Sequence, residues 1–212
     1  PLPLLKKEVL VDAIDLRGMK ANTGNLIEGM EIKGTLGKLY AKADRIDLGK
    51  EIARLNKIDL SDTAITLLIN DTTTNKDTTS TTVGWKLKLD QIDLNRVAFA
   101  MQMPDDSLRL STYIDKAGLT DGMVDLGSAR YSASRFLLSG SSLSYDGSYS
   151  DPTPGFDPSH IALNDVNIRI DSLLYGGRDI SVRIKEFSAN DRSGLTLSSL
   201  TGDISSDSTT IQ

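Results

Sequence analysis

Residues 85–103, WKLKLDQIDLNRVAFAMQM, decide the fold. Trp85, Leu87 and Leu89 hold odd positions, Ile92 and Leu94 hold even ones, and the odd phase returns at Val97, Phe99, Met101 and Met103. Apolar residues at every second position mark a strand with one oily face, because successive side chains of extended backbone point to opposite sides. A change of phase within such a run would carry the apolar set to the wrong face of a straight strand. A bulge near Asp90 and Gln91 keeps the set on one face and bends the strand there. Repeated bulges curve a sheet.

The pattern continues outward. Pro104-Asp105-Asp106 is a turn signal, after which Leu108, Leu110, Thr112 and Ile114 alternate again, so the two runs form a hairpin. Val166, Ile168 and Ile170 lead through Gly176-Gly177 to Ile180, Val182 and Ile184, a second hairpin. The one helical window, Gly49 to Asn56, is short and has neither a cap nor a stop. The expected fold is all-β: an elongated, curved antiparallel sheet with an apolar concave face, one β-repeat segment over residues 1–212. Two stretches read as loops: the Thr-rich segment 71–82, expected to be a long hairpin connection after the Ile65–Ile69 strand, and the Pro-, Gly- and Asp-rich segment 146–158.

A tripeptide recurs at Ile14-Asp15-Leu16, Ile46-Asp47-Leu48, Ile58-Asp59-Leu60 and Ile92-Asp93-Leu94, with Val124-Asp125-Leu126 a close variant. The starts are 32, 12, 34 and 32 residues apart, which suggests a repeating unit of about three strands of roughly ten residues, each about 33 Å long. Within each triplet Ile and Leu share one face and Asp takes the other. The expected lining of an apolar groove is therefore the Ile and Leu of the first four triplets, joined by Leu87, Leu89, Val97, Phe99, Met101, Leu108, Leu110, Ile168, Ile170, Val182 and Ile184.

Composition narrows the function. Hydrophobic residues make up 39% but aromatic ones only 5%, so the buried face is aliphatic. A net charge of −5 offers no basic stripe for nucleic acid. The absence of cysteine removes disulfides and thiolate chemistry. The chain starts without Met in mid-pattern and reads as an internal piece of a longer protein.

No catalytic or metal site stands out, and no cofactor is expected. His160, the sole histidine, follows Pro158-Ser159 at a strand entry; nearby Ser and Asp allow a Ser-His-Asp triad to be drawn, but no nucleophile elbow accompanies it, and a structural role is expected. Asp146, Asp151 and Asp157 offer carboxylate oxygens that suit calcium, but they lack the ligand spacing of an EF-hand and of the glycine-rich nonapeptide repeats. Gly34-Thr35-Leu36-Gly37-Lys38 lacks the gap of a phosphate loop. The Asn70-Asp71-Thr72 sequon matters only in a secreted eukaryotic protein. Trp85 with Phe99, Met101 and Met103 reads as an ordinary core face, with an aromatic platform as the sharper alternative.

Leu55–Ile69, LNKIDLSDTAITLLI, and Leu89–Met103, LDQIDLNRVAFAMQM, together with the recurring triplet, resemble the AsmA-like superfamily and, within it, the translocation and assembly module (TamB) family. The likeness covers most of residues 8–204. It implies a long periplasmic protein of Gram-negative bacteria, anchored in the inner membrane by an N-terminal helix, whose β-taco sheet encloses an apolar groove. It also implies phospholipid acyl chains as cargo, and support of outer-membrane protein assembly through an assembly barrel met by regions outside this segment. No single functional residue carries over, because alternation defines that groove. The competing readings are a structural or adhesive β-repeat with a sealed core, and a polysaccharide-active enzyme with an aligned cleft of carboxylates.

Overall fold

The computed structural model describes residues 8–9, 12–24, 26, 29–70, 84–176 and 179–206. In chain order the strands are β1 (Glu8–Val9), β2 (Ala13–Asn22), β3 (Met30–Asp47), β4 (Ile52–Ile69), β5 (Lys86–Met103), β6 (Leu108–Asp125), β7 (Arg130–Asp146), β8 (His160–Gly176), β9 (Asp179–Asp191), β10 (Thr196–Leu197) and β11 (Gly202–Ser206). All eleven belong to one unclosed sheet. β1 and β2 both pair with β3, and β10 and β11 both pair with β9, so the strands occupy nine lanes. At about 4.8 Å per lane the sheet is about 40 Å across.

The two expected hairpins are present. A 3-10 turn, Pro104–Asp106, closes β5 onto β6, with Ser107 left-handed at its end. β8 returns as β9 from the rung Gly176–Asp179; Gly177 lies outside the described residues.

Two expectations need correction. The strands β3 to β6 are each 18 residues long, not about ten, which is about 60 Å of backbone if straight. A mid-strand change of phase looks in sequence like the end of one strand and the start of the next, so one long strand reads as two short ones. Second, β4 and β5 run parallel, the one such pair among the described residues. A hairpin joins antiparallel neighbours, so parallel pairing rules out the expected hairpin between these two strands; residues 71–83, including the whole Thr-rich segment 71–82 and part of the sequon, lie outside the described residues. Parallel pairing also explains the repeat: Ile58, Asp59 and Leu60 sit directly beside Ile92, Asp93 and Leu94.

Two transverse lines of irregular backbone cross the curved sheet. Gly18, Asp62, Arg96, Gly140 and Asp165 all have φ between +50° and +62° in mid-strand. The pairing puts them in one line: Gly18 faces Gly37, which faces Asp62, which lies beside Arg96, which faces Asp115, which faces Gly140, whose N–H donates to Asn167 Oδ1 near Asp165. A second line runs through Asn56, Asp90, Asp121, Ser134 and Ser172, with Asp121 at φ +50° and Ser172 at +79°. At each line the apolar phase flips, which keeps Leu87, Ile92 and Val97 on the same side of β5. The bulge expected at Asp90–Gln91 is absent: β5 keeps one register with β4 and with β6 on both sides of Asp90, and the phase changes there because the neighbouring strands change phase with it along the second line.

The side facing the bend follows from burial. Thr63, Val97, Ser141 and Val166 each directly follow a left-handed residue, and all are buried, Ser141 to 2% exposure. Ala53, Ala133 and Ala189, also buried, belong to the same apolar face. In a single-layer sheet, side chains are occluded this far on one face where the sheet curls over that face. β6 shows the contrast along one strand: Leu108, Leu110, Thr112 and Ile114 are half-buried while Arg109, Ser111 and Tyr113 are exposed.

Candidate functional site: an apolar trough

The lines divide the long strands into three panels: a floor between them and a wall beyond each. Two unbroken rows cross the floor. One reads Leu16, Leu39, Leu60, Leu94, Ala117, Leu138, Ile168, Phe187; the other reads Ile14, Ala41, Ile58, Ile92, Leu119, Phe136, Ile170, Ile184. Three of the Ile-Asp-Leu triplets are thus rungs of one pair of rows. One wall carries Ile32, Leu67, Met101, Leu110, Tyr145 and Ile161 in line, with Met103 opposite Leu108 at its lip. Val97 borders the line between floor and wall. The other wall carries Ile46, Ala53, Leu87, Val124, Tyr131, Tyr175 and Ile180, and beside it Leu55, Leu89, Leu173 and Val182. Tyr131 and Tyr175 stack with ring centroids 5.8 Å apart.

Among the residues expected to line a groove, Leu48 stands apart. It lies in the turn beyond Asp47 and is half exposed, and Ile14 and Leu16 are exposed because β2 is an edge strand. Leu39, Leu119, Phe136 and Leu138 were missed. Phe136-Leu137-Leu138 is an uninterrupted apolar run that hides its alternation, Leu137 standing exposed on the opposite face. Trp85 and Phe99 are not one platform: nearly all of β5 separates them, about 45 Å of strand.

The triplet aspartates have two jobs. Asp15, Asp59 and Asp93 project from the outer face. Asp15 is ion-paired with Arg17, whose hydrogen bonds hold its carboxyl below the usual range. Asp59 and Asp93 lie side by side in parallel register, a repulsive placement, and Lys57 Nζ lies 3.5 Å from one and 3.9 Å from the other. Asp47 and Asp125 instead end strands. Asp47 accepts N–H groups of Gly49 and Lys50, and Asp125 accepts that of Ser128. The Ser128 N–H chiefly lowers the Asp125 pKa; burial pushes Asp47 up, but the Lys50 N–H, the neighbouring cations and the Gly49 N–H together bring it below the ordinary value.

The first bending line is laced on its outer side. Arg96 donates from Nε and Nη2 to Asp62 at 2.7 and 2.9 Å, lowering the Asp62 pKa. On the second line Asn56 donates to Asp90 at 3.0 Å and Ser134 to Asp121 at 2.9 Å. Gly37 explains part of the glycine cluster, since a Cβ there would lie 2.6 Å from both Cβ and O of Asp62.

His160 is 3% exposed and does join a Ser-His-Asp chain: Nδ1 lies 3.0 Å from Asp146 Oδ1, and Nε2 lies 3.4 Å from Ser150 Oγ. In the neutral ring Nδ1–H donates to the carboxylate, leaving Nε2 to accept from the hydroxyl. The chain tethers the β7–β8 loop. The same loop is fastened by Gly147 N–H to Ser159 O, Tyr149 O–H to Pro104 O, and Asp157, which accepts from Thr153 and Ser159. These backbone donors hold Asp157 below its usual pKa, the Thr153 N–H most strongly. Asp146 and Asp157 are thus both engaged within the loop, and among the described residues no three acidic or histidine side chains gather to hold a metal ion.

No helix among the described residues is long and apolar enough to cross a membrane. No protein-family model matches this chain, and no curated protein matches it in sequence.

Proposed function

We propose that the chain is a segment of a periplasmic envelope bridge whose trough carries phospholipid between the inner and outer membranes and supports outer-membrane protein assembly through regions outside this segment. One observation carries the reading: aliphatic rows run in register across the sheet, and among the described residues no second layer packs over them. An uncovered apolar face of this extent calls for an apolar occupant. Acyl chains fit: each buried methylene stabilises by about 0.8 kcal/mol. A lining of near-uniform Ile and Leu offers no deep minimum at any one position, so a chain held there slides. Such a conduit needs no reacting side chain.

The test is to purify the protein from a bacterial envelope, denature it, and identify released lipid by mass spectrometry, alongside uptake of a fluorescent phospholipid by the emptied protein. Released phospholipid and saturable uptake are expected. Protein that is lipid-free and takes up none overturns the proposal and favours an adhesive β-repeat.

A further inference from the structure

We infer that the rows of left-handed residues, and not the side-chain pairs lying on them, set the width of the trough, which makes Asp62, Arg96 and Asp165 positioning residues of the lipid-binding face. The inference rests on the trough reading above and adds what fixes its shape.

Left-handed backbone is costly for any residue with a Cβ, and least so for Asp and Asn. Glu51, Ser107 and Ala129 adopt it outside the strands, at turns, where it is common. Asp62, Arg96, Asp121, Asp165 and Ser172 adopt it inside strands. Scattered strain would fall at unrelated heights, yet these residues fall on two lines. Each line coincides with a change of apolar phase, and the residue after each left-handed position on the first line is buried inside the bend where it is Thr63, Val97, Ser141 or Val166.

The ion pair is the weaker explanation. Asp62 and Arg96 side chains are each 55% exposed, where solvent screens the attraction. Gly18 and Gly140 continue the same line with no side chain at all. The bend therefore belongs to the backbone. Between Asp90 and Arg96 the floor is six residues wide, about 20 Å, whereas an unbent 18-residue strand would present about 60 Å of flat face.

The chain has no cysteine, so two introduced ones can carry spin labels without background. Asp105→Cys and Ser128→Cys place labels at opposite ends of the β5–β6 pair, and pulsed dipolar spectroscopy reads their separation in lipid-stripped protein. Arg96→Val with Asp165→Val, β-branched residues hostile to left-handed backbone, is expected to lengthen the distance toward the flat-strand value. Arg96→Gly with Asp165→Gly, which keeps the backbone preference and deletes the ion pair, is expected to leave it unchanged. The inference is overturned where the glycine pair lengthens the distance as much as the valine pair, or where folded valine variants leave it unchanged. Where circular dichroism shows the double valine variant unfolded, single Arg96→Val against Arg96→Gly gives the same comparison. No lipid enters the measurement, so failed lipid uptake with the expected distances sinks the cargo reading alone.

Discussion

Replacing Gly37 with alanine probes how closely β3 and β4 approach on the bending line. The new Cβ would stand 2.6 Å from Asp62 Cβ, 2.6 Å from Asp62 O and 2.8 Å from Ser61 O. Ordinary contact begins near 3.4 Å, so β4 backbone must retreat by about 0.6–0.8 Å, and overpacking of this kind costs about 1–3 kcal/mol. Gly37 does not have positive φ, so alanine also gains about 0.5–1 kcal/mol from reduced unfolded-state freedom. The net expectation is a loss of about 1–2 kcal/mol, or about 2–8 °C in Tm for a chain of this size. Gly202→Ala is the matched control, because its Cβ meets nothing within 4 Å and its φ is not positive; it is expected to be neutral or slightly stabilising. Urea unfolding followed by the fluorescence of Trp85, the single tryptophan, gives both values. A Gly37→Ala protein as stable as Gly202→Ala would refute the close approach.

Leu94→Asp, in the middle of the floor, is expected to cut lipid uptake severalfold while Asn95→Asp on the outer face leaves it unchanged, read by fluorescent phospholipid binding; equal losses would contradict the assignment of faces. Asp15, Asp47, Asp62, Asp125, Asp157 and Asp191 all have lowered folded pKa values. Their contribution is therefore complete above the unfolded carboxylate value, about 3.9, and is lost as pH falls through the lower folded values. Tm should hold from neutral pH to about 5 and fall below 4, and a fall confined to pH 5–7 would count against these carboxylates. His160→Ala removes the link between Asp146 and Ser150, so limited proteolysis should cut within residues 147–159 faster than in the parent; unchanged cleavage would show that the loop does not depend on this tether.

The all-β reading was legible because period-2 alternation is local, and so was the place of the phase change near Asp90; its cause was not, because no bulge forms there and the neighbouring strands change phase in step. Arg96 was not legible as a left-handed residue: arginine has no turn preference, and only its neighbours across the sheet impose that backbone. Nor was the parallel pairing of β4 with β5, which depends on register between residues 34 apart rather than on either strand alone. The triplet was read as one motif with one role. In the fold Ile58-Asp59-Leu60 is a rung and the strand runs on through Ser61, whereas Ile46-Asp47-Leu48 closes a strand, because the N–H groups of Gly49 and Lys50 turn back to Asp47.

The parallel seam between β4 and β5 relates the two strands by translation, each residue of one lying beside its counterpart 34 positions on. A hairpin relates its strands by a two-fold, so duplicating one strand of it inverts direction and disturbs the next. Across this seam, duplicating or excising a whole period rejoins the chain at the same height and in the same direction. The trough can therefore lengthen or shorten by copying its own text, with the apolar rows still meeting end to end.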